Sequence, residues 1–320
     1  MIGEAVRVPP VGKGASYTTV GTATFALCQY RRIGMMRITD NTVGSMLDLY
    51  RSELIGRYDT REATAIARIV FQEAFGWDVA QLEWRKAYSL SGSELLKVYT
   101  PLTRLSIGEP LQYVLGHVQF MGLSLKVGPG VLIPRPETEE LVDMIGRQGR
   151  VFQKILDIGT GSGCIALALK KRFPQAELVG MDISEEALRI ARSNAVSNGM
   201  DVRWEQNDVL QVDSISADAF DLIVSNPPYV PRSEEPTLAS HVREHEPHAA
   251  LFVEDDDPVL FYRAIGQKAT QALVPGGELW FEGHHLHTPE AAAVLRTMGF
   301  HDVTVIDDLS GSHRFIRAVR

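Results

Sequence analysis

Asn226, Pro227, Pro228 and Tyr229 stand together directly after a short apolar run that predicts a buried strand. Neither proline can donate a backbone hydrogen bond or continue a strand ladder, so the chain leaves the sheet here as a stiff, extended corner. The corner carries a side-chain amide, carbonyl oxygens and an aromatic ring. Oxygen acceptors held in this way can grip a flat NH2 group while the ring packs on its plane. The pattern indicates either a site for a planar amide or amino-substituted ring, or a plain strand-ending turn.

A glycine-rich segment at residues 157–163 follows another predicted strand and opens a predicted helix. It contains Gly159, Thr160, Gly161, Ser162 and Gly163. Glycines at such a junction let the backbone pass close to a ligand without a side chain in the way. Residues 161–166 also fit the relaxed fingerprint G-x-G-x-x-A, so this motif alone does not choose between NAD and S-adenosylmethionine.

Aspartates follow the next two predicted strands. Asp182 ends the second strand, where a carboxylate can accept hydrogen bonds from both ribose hydroxyls of either cofactor. Asp208 follows the third strand and is placed either for an adenine amine or as an exposed turn residue.

The order of the predicted strands separates the two cofactors. In an open parallel sheet, the carboxyl ends of the first and fourth strands flank the crevice where the strand order reverses. The glycine-rich segment and the corner at Asn226 are therefore expected side by side. A dehydrogenase needs an acid–base residue beside the hydride and has no use for an amide grip, whereas a methyltransferase acting on an NH2 group needs one.

The elements that position these residues are strands alternating with helices from residue 154 onward. Strands are predicted at 155–158, 177–181, 202–205, 220–224, 278–282, 303–306 and 314–318. Alternation of this kind predicts an α/β fold with a doubly wound, mostly parallel, seven-stranded sheet. Because no full helix separates the last two strands, we expect a C-terminal antiparallel hairpin at one edge.

The chain divides into four predicted regions. Residues 1–36 lack periodicity and predict a flexible extension. Residues 37–108 predict a small bundle of four or five helices that holds a partner protein, and 109–133 predict a linking β-hairpin whose strands include residues 113–115 and 123–127. Residues 134–320 form the predicted α/β domain.

Composition narrows the function. The 320-residue chain has a formal net charge of −8, which argues against nucleic acid as a partner, since nucleic-acid binders usually present a basic face. Cys28 and Cys164 form no disulfide framework and fit a reducing compartment. No apolar run reaches transmembrane length. We therefore expect a cytoplasmic protein without membrane contact.

Histidines offer a competing metal site. The sequence from His241 to His245 matches the zinc-peptidase pattern H-x-x-E-H. Pro247 follows closely, the stretch is predicted as a loop and no third ligand is evident, so we assign no metal. His284, His285 and His287 are predicted at the surface.

Longer motifs extend beyond the site. They are Gly108-Glu-Pro-Leu-Gln-Tyr113, Val131-Leu-Ile-Pro-Arg-Pro-Glu-Thr-Glu139, Val242-Arg243 with Glu246-Pro247 and Ala250-Leu251, and Phe261-Tyr-Arg263. Together with the glycine-rich segment and the corner, this set resembles the HemK/PrmC family over about residues 40–320. The resemblance implies a class I, Rossmann-like methyltransferase that uses S-adenosyl-L-methionine. Its implied substrate is the glutamine of the Gly-Gly-Gln loop in peptide chain release factors.

The resemblance also implies residue roles. Residues 159–163 line the methionine and ribose of the cofactor, Asp182 holds the ribose, and Asp208 with Val209 borders the adenine. Family members often carry an aromatic residue where Val209 stands. The residues from Asn226 to Tyr229 bind the glutamine, and the N-terminal helices dock on the release factor.

The expected chemistry rests on orientation. An amide nitrogen is a poor nucleophile, so we expect Asn226 Oδ1 and the Pro227 carbonyl to accept its two N–H bonds and aim it at the sulfonium methyl. We expect a monomer that does not bind nucleic acid directly. A glutamine methyltransferase of a ribosomal protein, a DNA or RNA amino-methyltransferase and a non-catalytic docking module remain as alternatives.

Overall fold

The computed structural model describes residues 40–211, 215 and 220–320. The extension predicted at residues 1–36 lies outside these described residues. The first described helices are α1 (Val43–Leu54), α2 (Thr60–Phe75), α3 (Val79–Trp84) and α4 (Gly92–Ser106). They form the small bundle that the helical pattern predicts.

Local signals start these helices and a shared core holds them together. At the start of α4, the Ser91 side chain accepts the Glu94 N–H while the Glu94 carboxylate accepts the Ser91 N–H at 2.8 Å. This reciprocal capping box satisfies two backbone donors that a helix start leaves unpaired. The inward faces enclose an apolar cluster that includes Tyr50, Phe71 and Leu102. The bundle therefore has a core of its own, separate from that of the sheet.

A short helix and a hairpin connect the bundle to the rest of the chain. They are α5 (Leu111–Leu115), β1 (His117–Phe120) and β2 (Leu123–Lys126). The sequence predicts the hairpin correctly, but its placement of residues 113–115 in the first strand is wrong. Gly116 has a φ of 80° and ends α5 in the left-handed conformation, so the strand starts one residue later.

The hairpin turn is anchored to the α/β domain. Met121 and Gly122 have φ values of 48° and 69°, as a tight two-residue hairpin turn requires. The Met121 N–H donates to the Glu139 carboxylate at 2.6 Å, and Lys171 Nζ donates to the Met121 carbonyl at 3.0 Å. These contacts hold a non-glycine residue in a conformation that it rarely adopts.

The α/β domain alternates strands and helices. Its helices are α6 (Pro136–Arg147), α7 (Cys164–Arg172), α8 (Glu185–Ser197), α9 (Ser240–His245), α10 (Leu260–Ala272) and α11 (Thr288–Thr297). Its strands are β3 (Lys154–Ile158), β4 (Glu177–Asp182), β5 (Arg203–Gln206), β6 (Phe220–Ser225), β7 (Val230–Pro231), β8 (Phe252–Val253), β9 (Leu273–Glu282), β10 (His301–Asp307) and β11 (His313–Val319).

The described strands include a seven-stranded sheet in the order β10-β11-β9-β6-β3-β4-β5. Strands β3, β4, β5, β6 and β9 are parallel, while β11 is antiparallel to both β9 and β10. This confirms the predicted class I methyltransferase fold with its C-terminal antiparallel hairpin. Apolar clusters cover both faces, with α10 and α11 on one and α6 and α7 on the other. Because helices cover both faces, we expect a binding site at the carboxyl ends of the parallel strands.

An excursion between β7 and β8, residues 232–250, is not predicted by the sequence. It consists of two short 3-10 turns and α9, and its ends meet because β7 pairs with β8 in parallel. The prediction of a loop at residues 241–245 is therefore wrong. Val242 on α9 packs against the cluster around Phe252, and this tertiary contact stabilises a helix too short to persist alone.

None of the helices in the described parts of the chain combines the length and apolarity needed to cross a bilayer.

Candidate active site

The glycine-rich segment and the corner at Asn226 are adjacent because their strands are neighbours. Ile158 of β3 pairs with Ser225 of β6, and the Ser225 hydroxyl donates to the Ile158 carbonyl at 2.7 Å. The next residues on the two strands are Gly159 and Asn226. The position that a Cβ would take on Gly159 lies 3.9 Å from the Asn226 carbonyl oxygen. The expected crevice therefore contains both motifs.

Three positive φ angles shape the glycine-rich segment. Gly159, Gly161 and Gly163 have φ values of 72°, 54° and 81°, which other residues adopt only with strain. The N–H groups of Gly159 and Thr160 donate to the Met181 carbonyl at 2.8 and 3.0 Å. The segment is thereby tied to the end of β4 and curves around the carboxyl end of β3.

Asp182 is held by backbone donors on both of its oxygens. Its Oδ2 accepts the Gly161 N–H and its Oδ1 accepts the Ser184 N–H, each at 2.9 Å. Burial raises the pKa of this carboxyl group, against these backbone hydrogen bonds and that of Ile183, which lower it. A carboxylate offers about four lone-pair sites, so these backbone donors leave acceptor capacity for a ribose hydroxyl.

Asp157 is a buried carboxyl group that the sequence analysis assigned no role. Its Oδ2 accepts the Thr160 hydroxyl at 2.6 Å and the Ala166 N–H at 3.2 Å, whereas Oδ1 has no partner. The hydroxyl of Ser162, in the same segment, is also buried without a partner. Burial raises the pKa of Asp157 to about 7.

These unpartnered oxygens test whether the site fits a cofactor. A buried polar atom without a hydrogen bond costs about 1–3 kcal/mol, so native proteins seldom leave one without a reason. An acceptor beside a loop with an open backbone matches a ligand that carries an ammonium group. The amino acid end of S-adenosylmethionine has that chemistry, and the residues present fit it.

Asp208 and Val209 lie in a turn after β5. Asp208 Oδ1 accepts the Leu210 N–H at 2.8 Å, which stabilises the turn. Val209 is partly buried against the core cluster on one face of the sheet. Their predicted role beside an adenine ring stays a prediction.

The corner at Asn226 is held by two residues that the sequence analysis did not select. Asn226 Nδ2 lies 3.4 Å from Thr138 Oγ1, and the Thr138 hydroxyl donates to Glu282 at 2.7 Å. The Tyr229 hydroxyl donates to the other Glu282 oxygen at 3.2 Å. Burial raises the pKa of Glu282, while the bonds from Thr138 and Tyr229 and the charge of Arg314 lower it. Two sequence features could have pointed to these residues. Thr138 lies in the motif at residues 131–139, and Glu282 ends the strand predicted at 278–282.

A buried ion pair joins the segment before α6 to the excursion. Arg135 contacts Glu246 at 2.5 Å, and the other oxygen of Glu246 accepts the Ile133 N–H at 3.1 Å. The Glu246 side chain is fully buried and that of Arg135 is 30% exposed. Two motifs that lie 111 residues apart in sequence are therefore joined in the folded protein.

His284 corrects another prediction. It is buried, with Nε2 3.1 Å from Glu234, although His285 is exposed and His287 half-buried. Burial lowers the pKa of His284, and the carboxylate of Glu234 opposes that effect. Among the described residues, no group of three or more His, Cys, Asp or Glu side chains is arranged to hold a metal ion.

Comparison with known proteins identifies the family. Residues 137–245 match the methyltransferase small domain, and residues 46–116 match the PrmC N-terminal domain. The release factor glutamine methyltransferase of Bacteroides thetaiotaomicron is 39% identical over 286 residues, which make up 89% of this chain and 100% of that protein. The chain belongs to the release factor glutamine methyltransferase family.

Other members of this methyltransferase family match over a similar span. The release factor glutamine methyltransferase of Flavobacterium psychrophilum is 39% identical over 81% of this chain and 93% of that protein. That of Deinococcus radiodurans is 37% identical over 79% of this chain and 90% of that protein. The matched span at residues 137–245 contains Thr138, Asp182 and Asn226, whereas Glu282 lies beyond it. The resemblance stated from motifs is confirmed.

Proposed function

We propose that this protein methylates the side-chain amide nitrogen of the glutamine in the Gly-Gly-Gln loop of peptide chain release factors. The observation that carries the proposal is the adjacency of the two motifs, with 3.9 Å between the Asn226 carbonyl oxygen and the Cβ position of Gly159. An amide grip and a backbone loop open to a ligand share one cleft. Membership of the family supports the choice of substrate.

The cofactor side of the cleft is assigned to S-adenosyl-L-methionine. When bound, this cofactor supplies an electrophilic methyl group on a sulfonium. Asp157 Oδ1 would hold its ammonium group, and Asp182 would accept hydrogen bonds from its ribose. Residues 159–163 would run along its methionine and ribose, with Asp208 and Val209 beside the adenine.

The substrate side is assigned to the corner. Asn226 Oδ1 and the Pro227 carbonyl accept the two N–H bonds of the glutamine amide, Pro228 keeps the corner extended and the Tyr229 ring packs on the amide plane. Fixed acceptors orient a weak nucleophile without reorganising during the reaction. They also raise electron density on the nitrogen as it attacks. The nitrogen then gains one methyl group and releases one proton to solvent, so no charged base is needed.

The test is a transfer assay with three acceptors. The purified protein is incubated with methyl-labelled S-adenosylmethionine and a release factor, a ribosomal protein mixture or nucleic acid. We expect label on the release factor alone, located by mass spectrometry on the loop glutamine and absent when that glutamine is replaced by alanine. Label on a ribosomal protein or on nucleic acid instead would contradict the proposal.

We also propose that the protein acts as a cytoplasmic monomer whose N-terminal bundle holds the release factor. The acidic charge of −8 and a pair of cysteines far apart in sequence support this setting. Sedimentation at assay concentration gives the oligomeric state, and a stable dimer would contradict the monomer.

A further inference from the structure

A chain of hydrogen bonds ends on the Asn226 amide. The Tyr229 hydroxyl donates to Glu282 Oε1 at 3.2 Å, and the Thr138 hydroxyl donates to Glu282 Oε2 at 2.7 Å. Asn226 Nδ2 completes the chain by donating to Thr138 Oγ1 at 3.4 Å. Thr138 and Glu282 are 2% and 1% exposed, so water does not compete for these bonds.

The chain has a defined direction when Glu282 is ionised, the form that Arg314 and the hydrogen bonds from Thr138 and Tyr229 favour against the effect of burial. An ionised carboxylate accepts hydrogen bonds and donates none. Both Glu282 oxygens already accept from hydroxyl groups, so the single proton of the Thr138 hydroxyl is committed to Glu282. Only lone pairs of Thr138 remain for Asn226, and the Asn226 amide must turn its NH2 group toward them.

This direction matters because the two ends of an asparagine amide, the oxygen acceptor and the NH2 donor, have nearly the same shape. With Nδ2 on Thr138, Oδ1 is left as an acceptor on the opposite side. A flipped amide would present NH2 to the NH2 group of the substrate, and two donors cannot bond to each other. The same side chain would then repel the group that it is meant to hold.

We propose that Thr138 and Glu282 are positioning residues that fix the orientation of the Asn226 amide, so that Oδ1 is the atom offered to the substrate. This inference rests on the proposed function. Neither residue contacts the substrate in this scheme. Glu282 acts through Thr138, and Thr138 acts through Asn226.

The test compares Thr138→Val, which removes the hydroxyl and keeps the shape, with Thr138→Ser, which keeps the hydroxyl. We expect Thr138→Val to lower kcat about tenfold, less than the hundredfold or so expected for losing a preorganised contact outright. Thr138→Ser should stay close to the wild-type kcat. The KM for S-adenosylmethionine should be unchanged in both.

Double substitutions distinguish a role of Thr138 in orienting Asn226 from a role in packing alone. Because aspartate has an oxygen on each side, a second substitution, Asn226→Asp, makes orientation irrelevant, and Thr138→Val should cost nothing further in that background. Glu282→Gln removes one of the two acceptor positions, so it should lower kcat several-fold.

The outcomes are distinct. A wild-type protein that leaves the release factor unlabelled overturns the proposed function and this inference with it. A wild-type protein that is active while Thr138→Val retains full kcat overturns the inference alone. If Thr138→Val fails to fold, Glu282→Gln decides, and a folded Glu282→Gln variant with wild-type kcat overturns the inference.

Discussion

At the scale of single residues, the proposed grip relies on an acceptor whose orientation is fixed by its neighbours. Asn226 is half-buried at the end of β6, with its nitrogen on Thr138. Its oxygen is therefore oriented before any substrate arrives. Preorganisation of this kind stabilises a transition state because no rearrangement is needed as charge develops.

Asn226→Ala tests the contribution of that oxygen. We expect turnover on a release factor to fall about a hundredfold or more, the scale of one lost preorganised contact. S-adenosylmethionine affinity and the thermal unfolding midpoint should stay close to wild type, because the backbone of the corner is set by its prolines. Steady-state kinetics and calorimetry measure the three quantities. Turnover near the wild-type value would rule out the proposed grip.

Asp157→Asn tests the buried carboxyl beside the glycine-rich segment. The pKa of Asp157 is about 7 in the folded protein against an ordinary value of 3.8. Because the folded pKa is the higher one, the cofactor-free protein loses unfolding free energy as pH rises from about 4 to about 7. We expect the variant to lack this loss, and so to be more stable than wild type at pH above about 7.

The same substitution should weaken cofactor binding. Asparagine cannot neutralise the ammonium group that we assign to Asp157, so affinity for S-adenosylmethionine should fall while stability rises. Denaturant unfolding and titration calorimetry at two pH values, one below and one above the pKa of Asp157, give both quantities. A variant that binds the cofactor as tightly as wild type at the higher pH would contradict the assignment.

At the scale of elements, the excursion at residues 232–250 is tied to the segment before α6 by Glu246, one of its own side chains. Glu246 accepts the Ile133 N–H and pairs with Arg135, so it links the excursion to the segment that leads into α6. Apart from α9, the excursion is built from short turns. We therefore expect its order to depend on this ion pair.

Glu246→Ala should loosen the excursion. Removing the buried carboxylate leaves the Ile133 N–H and Arg135 without their partner, which costs about 1–3 kcal/mol of unfolding free energy. Limited proteolysis should then cut within residues 232–250, and the KM for the release factor should rise. Glu244→Ala is the matched control, because Glu244 lies on α9 in an exposed pair with Arg243. Equal proteolysis of both variants would contradict the role of Glu246.

The bundle offers its own test of partner docking. Trp84, at the end of α3, is 86% exposed, which is unusual for so large an apolar side chain. We expect Trp84→Ala to raise the KM for the release factor several-fold and to leave kcat and S-adenosylmethionine affinity unchanged. Val151→Ala is the control, because Val151 is 77% exposed and precedes β3, at the end of the sheet away from the site. Unchanged KM for Trp84→Ala would remove this side chain from the docking surface.

At the scale of the whole molecule, Glu278 joins distant parts of the chain at the end of the sheet opposite the site. It accepts hydrogen bonds from Arg317, Trp280, Gln148 and Arg150. Burial alone would raise the pKa of Glu278, but these four bonds outweigh it and lower the pKa to about 2.

The sign of that shift predicts acid sensitivity. Because the folded pKa is below the ordinary value of 4.5, the stabilisation is complete above about 4.5 and is lost as pH falls toward about 2. Glu278→Gln should lower the unfolding free energy at neutral pH, and its difference from wild type should shrink across this window. Urea unfolding at a series of pH values measures this difference. A difference that is constant with pH would show that Glu278 does not titrate as expected.

The fold and the site were predictable to different degrees. Alternation of apolar strands with helices predicts the sheet, and the order of the strands predicts that Gly159 and Asn226 meet. Both depend on local pattern and on a rule for parallel sheets. Residues 113–115 were misassigned because a glycine at position 116 can end a helix as well as mark a turn.

Tertiary contacts account for what the sequence could not predict. Thr138 and Glu282 are 144 residues apart, and nothing local in the sequence indicates that they touch. The two-residue strands β7 and β8 exist only through pairing with each other. His284 lies in a polar segment typical of a surface, but it is buried and contacts Glu234 of the excursion. Such features arise from packing, which a local pattern does not encode.

The position of β11 has a consequence for how the protein is made. It lies between β9 and β10, and in the described part of the sheet β11 is the hydrogen-bonded neighbour of β10. During synthesis β10 is made before β11, the strand that joins it to the sheet. The nascent domain therefore carries an open edge on β9 until its last described strand arrives, and it must escape intermolecular pairing during that interval.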